Sequence, residues 1–294
     1  MKKKYLFIIN PVAGKGKHLS ILSEISSFFA SEDVDFDTVI TQRPKQATQI
    51  AKDSSNKYEI LVAVGGDGTV NEIINGLAIS PAILGILPIG SGNDFSYQLG
   101  YKRNLKRDLR ILREAKTKWI DVGVVNETDY FINGFGVGFD GETALAARKT
   151  MRYTNGFMAY LLAVLRTLVF YRCQEVKMKF DDRNTVEQKI LFISVCNGTT
   201  YGGGFKVAPD AKMDDGLFDV CLVDKASRAY ILRKLPKFIR GHHTNLPEVH
   251  MSRCHQLNIQ SVKPLQAQLD GELPASQTSY QVGILPKKQE VIFD

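Results

Sequence analysis

Two carboxylates in this chain lie in glycine-rich segments that each follow a short apolar run. Asp67 lies in GGDGT, after the run 60–64, and Asp94 lies in GSGND, after the run 83–87. Glycine lets a backbone approach a ligand closely, and the start of a following helix attracts anionic oxygens. Because a carboxylate repels bare phosphate, the pattern predicts Mg²⁺ between these carboxylates and the phosphates of a nucleotide. An ordinary Asp-Gly turn would explain a lone GGDG equally well.

A third segment favours the phosphate site. The apolar strand predicted over 5–9 runs into NPVAGKGK, and an amphipathic helix is predicted over 19–30. This segment carries two lysines but lacks the GxxxxGK[ST] spacing of a P-loop. Parallel doubly wound sheets collect their binding loops at the carboxyl ends of the strands, so three such loops can converge on one ligand.

The sequence pattern changes near residue 125. Strands and helices alternate before this point, whereas short strands predominate after it, with helices predicted near 141–151, 157–170 and 227–239. A chain of 294 residues is near the size at which one core divides in two. We therefore expect a parallel α/β domain followed by an antiparallel β-rich domain.

Charge and hydropathy exclude several classes of protein. The net charge is +7, and much of the basic excess lies in 102–118, a pattern typical of a solvated helix face that could also rest on anionic lipid. No aromatic residues interleave these basic residues, which argues against nucleic acid as a partner. The nine apolar residues 157–165 are too few to span a bilayer, which needs about 20, and they predict a buried helix rather than an interfacial one. Four cysteines without paired spacing predict reduced thiols and a cytoplasmic location.

These motifs resemble a known family. NPVAGKGK, GGDGTVNE and GSGNDF, in this order and spacing, are similar to the catalytic domain of the diacylglycerol kinase, sphingosine kinase and ceramide kinase superfamily, in particular its soluble bacterial lipid kinases. Residues 197–220 and the LDGELP segment (269–274) resemble parts of the family's second domain. The resemblance implies an N-terminal doubly wound, NAD-kinase-like nucleotide domain (1–125 with the chain end 286–294). It also implies a C-terminal antiparallel, β-sandwich-like lipid-substrate domain (126–285).

The resemblance also implies roles for individual residues. ATP would bind to Asn10, Pro11, Val12, Ala13, Gly14, Thr41, Gly65, Gly66, Asp67, Gly68, Thr69, Val70, Asn71 and Ser91. Asp67 and Asp94 would organise catalytic Mg²⁺ with Asp121 in support, and Glu272 of the Asp-Gly-Glu segment would be the general base. A structural Mg²⁺ would be held by Asp215 and by the backbone carbonyls of Lys212 and Leu217. From the residues alone, an Asp-Asp-Gly hairpin turn explains this last segment better.

The expected activity is therefore ATP-dependent phosphorylation of a lipid hydroxyl, such as that of diacylglycerol, by an enzyme that contacts the membrane peripherally. Relatives suggest a homodimer. Sphingoid-base or ceramide kinases and NAD kinase remain as alternatives. So does an inactive lipid-binding protein, which the retention of Asp67, Asp94 and Glu272 disfavours.

Overall fold

The computed structural model describes residues 3–16, 18–30, 34–77, 80–150 and 156–294, which form two compact units. Unit 1 comprises Met1–Ile120 and Lys287–Asp294, and unit 2 comprises Asp121–Pro286. The chain passes from one unit to the other inside two strands, β5 (Thr117–Val125) and β14 (Gln277–Ile292).

Unit 1 contains a parallel sheet with helices connecting its strands. The strands are β1 (Lys4–Ile9), β2 (Asp35–Ile40), β3 (Ile60–Gly65) and β4 (Ile83–Pro88), in the order β2-β1-β3-β4. The helices are α1 (His18–Ala30), α2 (Gln46–Ser54), α3 (Asp67–Leu77), α4 (Asp94–Gln98) and α5 (Leu105–Glu114), and a 3₁₀ turn covers Ala13–Gly16.

The burial of these strands explains why their sequences are continuously apolar. Every residue of β3 and β4 is buried, as expected for central strands of a parallel sheet. The end of the chain also joins this sheet, because Val291 of β14 pairs in parallel with Leu84 of β4.

Unit 2 is predominantly antiparallel. Its remaining strands are β6 (Asp129–Phe131), β7 (Gly134–Gly138), β8 (Gln174–Phe180), β9 (Val186–Cys196), β10 (Phe218–Asp224), β11 (Val249–Cys254), β12 (Gln256–Leu265) and β13 (Ala267–Leu269). Strand β9 pairs with β8 through its first half and with both β7 and β10 through its second half. Three helices complete the unit: α6 (Phe139–Thr150), α7 (Gly156–Phe170) and α8 (Arg228–Arg240). The predicted mixed α/β fold with an antiparallel second half is confirmed.

Two apolar clusters form the core of unit 2. One contains Phe131, Phe135, Phe218 and Tyr280 among its largest side chains. The other includes Val164 and Leu168 of α7 with residues of β9, β10 and the 201–208 segment. All four cysteines are free thiols.

Helix α7 is apolar on two faces but buried on only one. Met158, Leu162, Leu165 and Val169 are between 38% and 56% exposed, and their spacing places them together on what we call the outer face of α7. The prediction of a buried helix is therefore wrong for this face. None of the described helices combines the length and apolar composition needed to cross a membrane.

Candidate active site

The loops after β1, β3 and β4 lie against one another in unit 1. The backbone N–H of Asn10 donates to the carbonyl of Val64 (3.0 Å), and its side-chain amide donates to Thr69 Oγ1 (3.0 Å). Gly14, at φ +66°, lies so close to the third loop that a Cβ there would be 3.3 Å from the Ile89 carbonyl oxygen. These contacts bring the three glycine-rich segments together at the carboxyl edge of the sheet.

Glycine is required where the second and third loops cross. A Cβ at Gly90 would lie 2.4 Å from Gly66 Cα, and one at Gly65 would lie 2.2 Å from Thr69 Oγ1. Any side chain at either position would push the neighbouring atoms away. The GGDGT and GSGND segments therefore need these glycines for the packing of the loops themselves.

The Asp67 carboxylate connects these two loops by hydrogen bonds. Its Oδ2 accepts from the backbone N–H groups of Asn93 (2.7 Å) and Asp94 (3.3 Å), and its Oδ1 accepts from that of Phe95 (3.2 Å). These donors begin helix α4, and Asn93, the residue before it, makes no side-chain cap. Asp67 therefore caps α4 from another loop. Burial raises the pKa of Asp67, while the three N–H groups oppose that shift.

Asp94 and Asp67 approach the same point beside Gly92. A Cβ at Gly92 would lie 2.9 Å from Asp67 Oδ2 and 3.9 Å from Asp94 Oδ2. Within the described ranges, no cluster of three His, Cys, Asp or Glu side chains could hold a metal ion. Two carboxylates this close together are a donor set that suits Mg²⁺ when phosphate and water supply its other ligands.

The remaining residues predicted for the nucleotide differ in exposure. Pro11, Ala13 and Gly68 are half-buried, Val12 and Ser91 are exposed, and Thr69, Val70 and Asn71 are buried. The N–H groups of Thr69 and Val70 already donate to the Gly66 carbonyl (3.0 and 3.1 Å) in the first turn of α3. The buried Val70 side chain therefore packs in the core of unit 1.

Glu72 supports the segment that follows Thr41, and no role was predicted for it from the sequence. Thr41 stays beside β1 because its N–H donates to the Ile9 carbonyl (2.9 Å). Glu72 then accepts from the N–H groups of Lys45 and Ala47, each at 3.1 Å, at the start of helix α2. A cap supplied from 25 or more residues away leaves no local sequence pattern, which is why the role of Glu72 was missed.

In unit 2, the Asp-Gly-Glu segment forms a turn that Asp270 stabilises. Its carboxylate accepts from the N–H groups of Ile132, Asn133 and Gly134, each at 2.9 Å. Glu272 follows two residues later, is half-buried, and exchanges backbone hydrogen bonds with Leu269. The structure therefore gives Asp270 a structural role and keeps the neighbouring Glu272 side chain partly accessible.

The 212–217 segment contains a turn that is held by Asp121. Asp121 Oδ2 accepts from the Gly216 N–H (2.7 Å), and the Asp121 N–H donates to the Met213 carbonyl (2.6 Å). The predicted metal ligand Asp215 forms an ion pair with Arg253 and accepts from the Leu217 N–H (3.2 Å). A cation bound by Asp215 would share that carboxylate with the Arg253 guanidinium.

An apolar cavity of unit 2 was not anticipated from the sequence. Its empty space is about 750 Å³ when the solvent at its mouth is included. Helices α6, α7 and α8 and strands β9, β10 and β11 contribute to its wall. Tyr230 and Lys234 are partly exposed, whereas Asp140 and Tyr201 are buried, so the cavity has an outer and an inner end.

A hydrogen-bonded group of polar side chains surrounds the Asp140 carboxylate at the inner end. Tyr160 donates to Oδ1 (2.9 Å), and Gln268 donates to Oδ2 (3.1 Å). The hydroxyls of Tyr201 (2.8 Å) and Ser194 (3.3 Å) also lie within hydrogen-bond distance of Oδ2, and they hydrogen-bond to each other, so one of the two donates to Asp140 at a time. Burial raises the pKa of Asp140, and these donors oppose that shift.

Gln268 also connects this group to the Asp-Gly-Glu turn. Its Oε1 accepts from the Gly271 N–H (2.9 Å), while its Nε2 donates to Asp140. One buried side chain therefore joins the inner end of the cavity to the turn that carries Glu272. The five residues of the group come from four distant chain segments, so no local sequence pattern indicates the group.

Comparison with known proteins agrees with this architecture. Residues 4–125 match the family model of the diacylglycerol kinase catalytic domain. Residues 135–293 match that of the YegS C-terminal NAD kinase beta sandwich-like domain. A curated diacylglycerol kinase from Bacillus subtilis (strain 168) is 30% identical over 279 residues, which cover 92% of this chain and 90% of the relative.

Solved structures give the same result. A protein from Bacillus anthracis str. Sterne, assigned as a diacylglycerol kinase, has a TM-score of 0.84 at 25% identity and covers 99% of this chain and 97% of its own. An NAD kinase from Archaeoglobus fulgidus, solved in complex with ATP, shares the fold, with a TM-score of 0.57, 11% identity, and coverage of 98% and 93%.

Three converging glycine-rich loops on a parallel sheet, together with an antiparallel second unit, define a kinase of the NAD-kinase-like fold class. Within that class, the chain belongs to the diacylglycerol kinase family and is a lipid kinase.

Proposed function

We propose that this enzyme transfers the γ-phosphoryl group of ATP to the free hydroxyl of a neutral glycerolipid such as diacylglycerol. The observation that carries the proposal is the apolar cavity, whose inner end is joined through Gln268 to the turn bearing Glu272. An apolar cavity that ends in polar groups suits a lipid whose reactive hydroxyl terminates an acyl-bearing body.

We assign the nucleotide to the three loops of unit 1. The Gly66 backbone excludes a side chain at Gly90 and the Thr69 side chain excludes one at Gly65, which leaves main-chain groups to face the phosphates. Mg²⁺ held by Asp67 and Asp94 would neutralise charge on those phosphates when bound. Phosphoryl transfer depends mainly on such positioning and charge stabilisation.

We assign the proton of the lipid hydroxyl to Glu272. Its carboxylate is half-buried, and the turn that carries it is fixed by the three hydrogen bonds to Asp270. A base must be held within hydrogen-bond reach of the group it deprotonates, and a rigid turn meets that requirement.

The donors around Asp140 favour a neutral lipid over a sphingoid base. Both oxygens of its carboxylate already accept hydrogen bonds from uncharged donors, among them Tyr160 and Gln268. The ammonium group of a sphingoid base would have to displace one of these donors to reach it, whereas diacylglycerol carries no ammonium group.

We further propose that the enzyme works in the cytoplasm, where ATP is available, and contacts the membrane through the outer face of α7. Exposed basic residues of helix α8, among them Arg233 and Lys237, would add attraction to anionic lipid of about 1 kcal/mol per residue. Co-sedimentation with phosphatidylglycerol vesicles but not with zwitterionic vesicles is the expected result.

One experiment tests the activity directly. Diacylglycerol, ceramide, a sphingoid base, phosphatidylglycerol and a polyprenol are each presented in mixed micelles with labelled ATP and Mg²⁺, and NAD is tested in parallel. Labelled phosphatidic acid is the expected principal product. Formation of NADP, or labelling of the sphingoid base alone, would refute the proposal, and no labelled product from any acceptor would favour an inactive lipid-binding protein.

A further inference from the structure

The wall of the unit 2 cavity contains a buried hydroxyl that has no hydrogen-bond partner among the residues that the structure describes. Thr143 lies on helix α6 and is 1% exposed, and its Oγ1 makes no hydrogen bond. A threonine inside a helix commonly bonds to the carbonyl four residues earlier, but no such bond forms here. Because a buried unpaired hydroxyl is unfavourable, this one requires an explanation.

The other polar groups around Thr143 do have partners. Asp140 and Tyr201 belong to the hydrogen-bonded group at the inner end, and the Tyr230 hydroxyl donates to Glu248 (2.6 Å). Among the described side chains that line the cavity, Thr143 is the one with a buried polar atom left unpaired. We therefore expect a molecule bound in the cavity to supply the hydrogen-bond partner of Thr143.

The position of Thr143 matches the spacing of polar groups in an acylglycerol. Thr143 follows Asp140 by three residues, so both lie on one face of α6, separated by about 4.5 Å along the axis at 1.5 Å per residue. In a 1,2-diacylglycerol, the nearer ester carbonyl is a few bonds from the free hydroxyl. A lipid with its hydroxyl at the inner end of the cavity would thus bring an ester oxygen to Thr143.

We propose that Thr143 is a specificity-determining residue whose hydroxyl donates to an ester carbonyl oxygen of the bound acylglycerol. The proposal rests on the proposed function, because it requires the cavity to be the lipid site. It gives the enzyme a means of preferring ester-linked over ether-linked diglycerides, which share the free hydroxyl and the chains but differ in the carbonyl group.

The test compares kcat/KM for a diacylglycerol and for the dialkylglycerol of matched chain length, in wild type and in Thr143→Val. This substitution removes the hydroxyl and keeps the shape. Wild type is expected to prefer the ester by about tenfold, the effect of one hydrogen bond. Thr143→Val should lose that preference through a lower kcat/KM for the ester, with the value for the ether unchanged.

Two further variants serve as controls. Thr143→Ser keeps the hydroxyl and should keep the ester preference. Thr167→Val makes the same change at a buried threonine of α7 that does not line the cavity, and it should leave both substrates unaffected. Thr143→Val should melt no lower than wild type, since it removes an unpaired buried hydroxyl.

Three outcomes would overturn the inference. If wild type has equal kcat/KM values for the ester and the ether, the enzyme does not recognise the ester carbonyl. If Thr143→Val lowers kcat/KM equally for both substrates, the hydroxyl binds a water or supports the fold. In both cases the enzyme is still a diglyceride kinase, so the proposed function stands. If wild type phosphorylates neither diglyceride, the proposed function fails first and this inference fails with it.

Discussion

Asp67→Asn should destabilise unit 1 as well as impair catalysis, because Asp67 uses both carboxylate oxygens to cap helix α4. An asparagine offers one oxygen, which can take the place of Oδ2 and keep the bonds from Asn93 and Asp94. Its NH₂ group then faces the N–H of Phe95, which loses its 3.2 Å bond. An orphaned buried N–H costs about 1–3 kcal/mol, and losing a negative charge at a helix N-terminus costs about 0.3–1 kcal/mol.

The expected total is therefore about 1–4 kcal/mol of the free energy of unfolding. For a protein of this size, each kcal/mol lowers the melting temperature by roughly 2–4 °C, so a fall of about 3–16 °C is expected. Asp53→Asn is the matched control. Asp53 lies exposed on α2 and accepts only from Gln49 on the same helix, so its substitution should cost no more than about 0.5 kcal/mol.

The assay has two parts, performed on both variants. Thermal unfolding by circular dichroism measures the capping contribution. Turnover at 20 °C, well below the melting temperature, measures the contribution of Asp67 to catalysis. It should fall by several orders of magnitude in Asp67→Asn. If Asp67→Asn and Asp53→Asn have the same melting temperature, the capping argument is wrong. If the turnover of Asp67→Asn is near normal, the magnesium assignment is wrong.

Three other substitutions test the assignments in unit 2. Asp215→Ala should remove most of the stabilisation that added Mg²⁺ gives the wild type, and an equal Mg²⁺-induced rise in melting temperature in the variant would show that no ion binds there. Glu272→Gln should lower turnover by about 10² to 10⁴ with KM for ATP nearly unchanged, as expected for a general base; joint loss of ATP binding would assign it to the nucleotide or metal instead. Gln268→Met should lower kcat more than the control Gln188→Met, which removes a glutamine–aspartate hydrogen bond elsewhere in unit 2. Equal kcat values in the two variants would contradict a positioning role for Gln268.

The parts of the fold that could be predicted from sequence are those in which one segment determines its own environment. The runs 60–64 and 83–87 are apolar at nearly every position because both faces of a central parallel strand are covered. The glycine-rich loops after them were recognisable because close approach of the two loops requires glycine, as at Gly90. Both features depend on local chemistry, so they are visible in a single sequence.

Contacts between distant segments left no such pattern. The Asp140 group joins Tyr160, Ser194, Tyr201 and Gln268, and none of these residues is marked by its own neighbours. The two faces of α7 show the same limit. Apolar residues occur on both, and only the fold determines which face is covered.

The two aspartates of the Asp-Gly motifs have the same physical role in different units, and this affects how motif mutations should be interpreted. Asp67 accepts from three consecutive backbone N–H groups in unit 1, and Asp270 accepts from three consecutive N–H groups in unit 2. A carboxylate suits this purpose because its two oxygens can bind a row of parallel donors that a shorter or neutral side chain would leave unpaired.

Loss of activity after alanine substitution at Asp67 or Asp270 would therefore not identify a catalyst, because each substitution also releases three buried N–H groups and displaces a loop of the site. Glu272 differs, since the hydrogen bonds that fix its turn come from its backbone and from Asp270. A change confined to the Glu272 carboxyl group leaves those hydrogen bonds in place. In this motif, kinetic effects at Glu272 are consequently the more direct evidence for catalysis, and those at Asp67 need the stability measurement beside them.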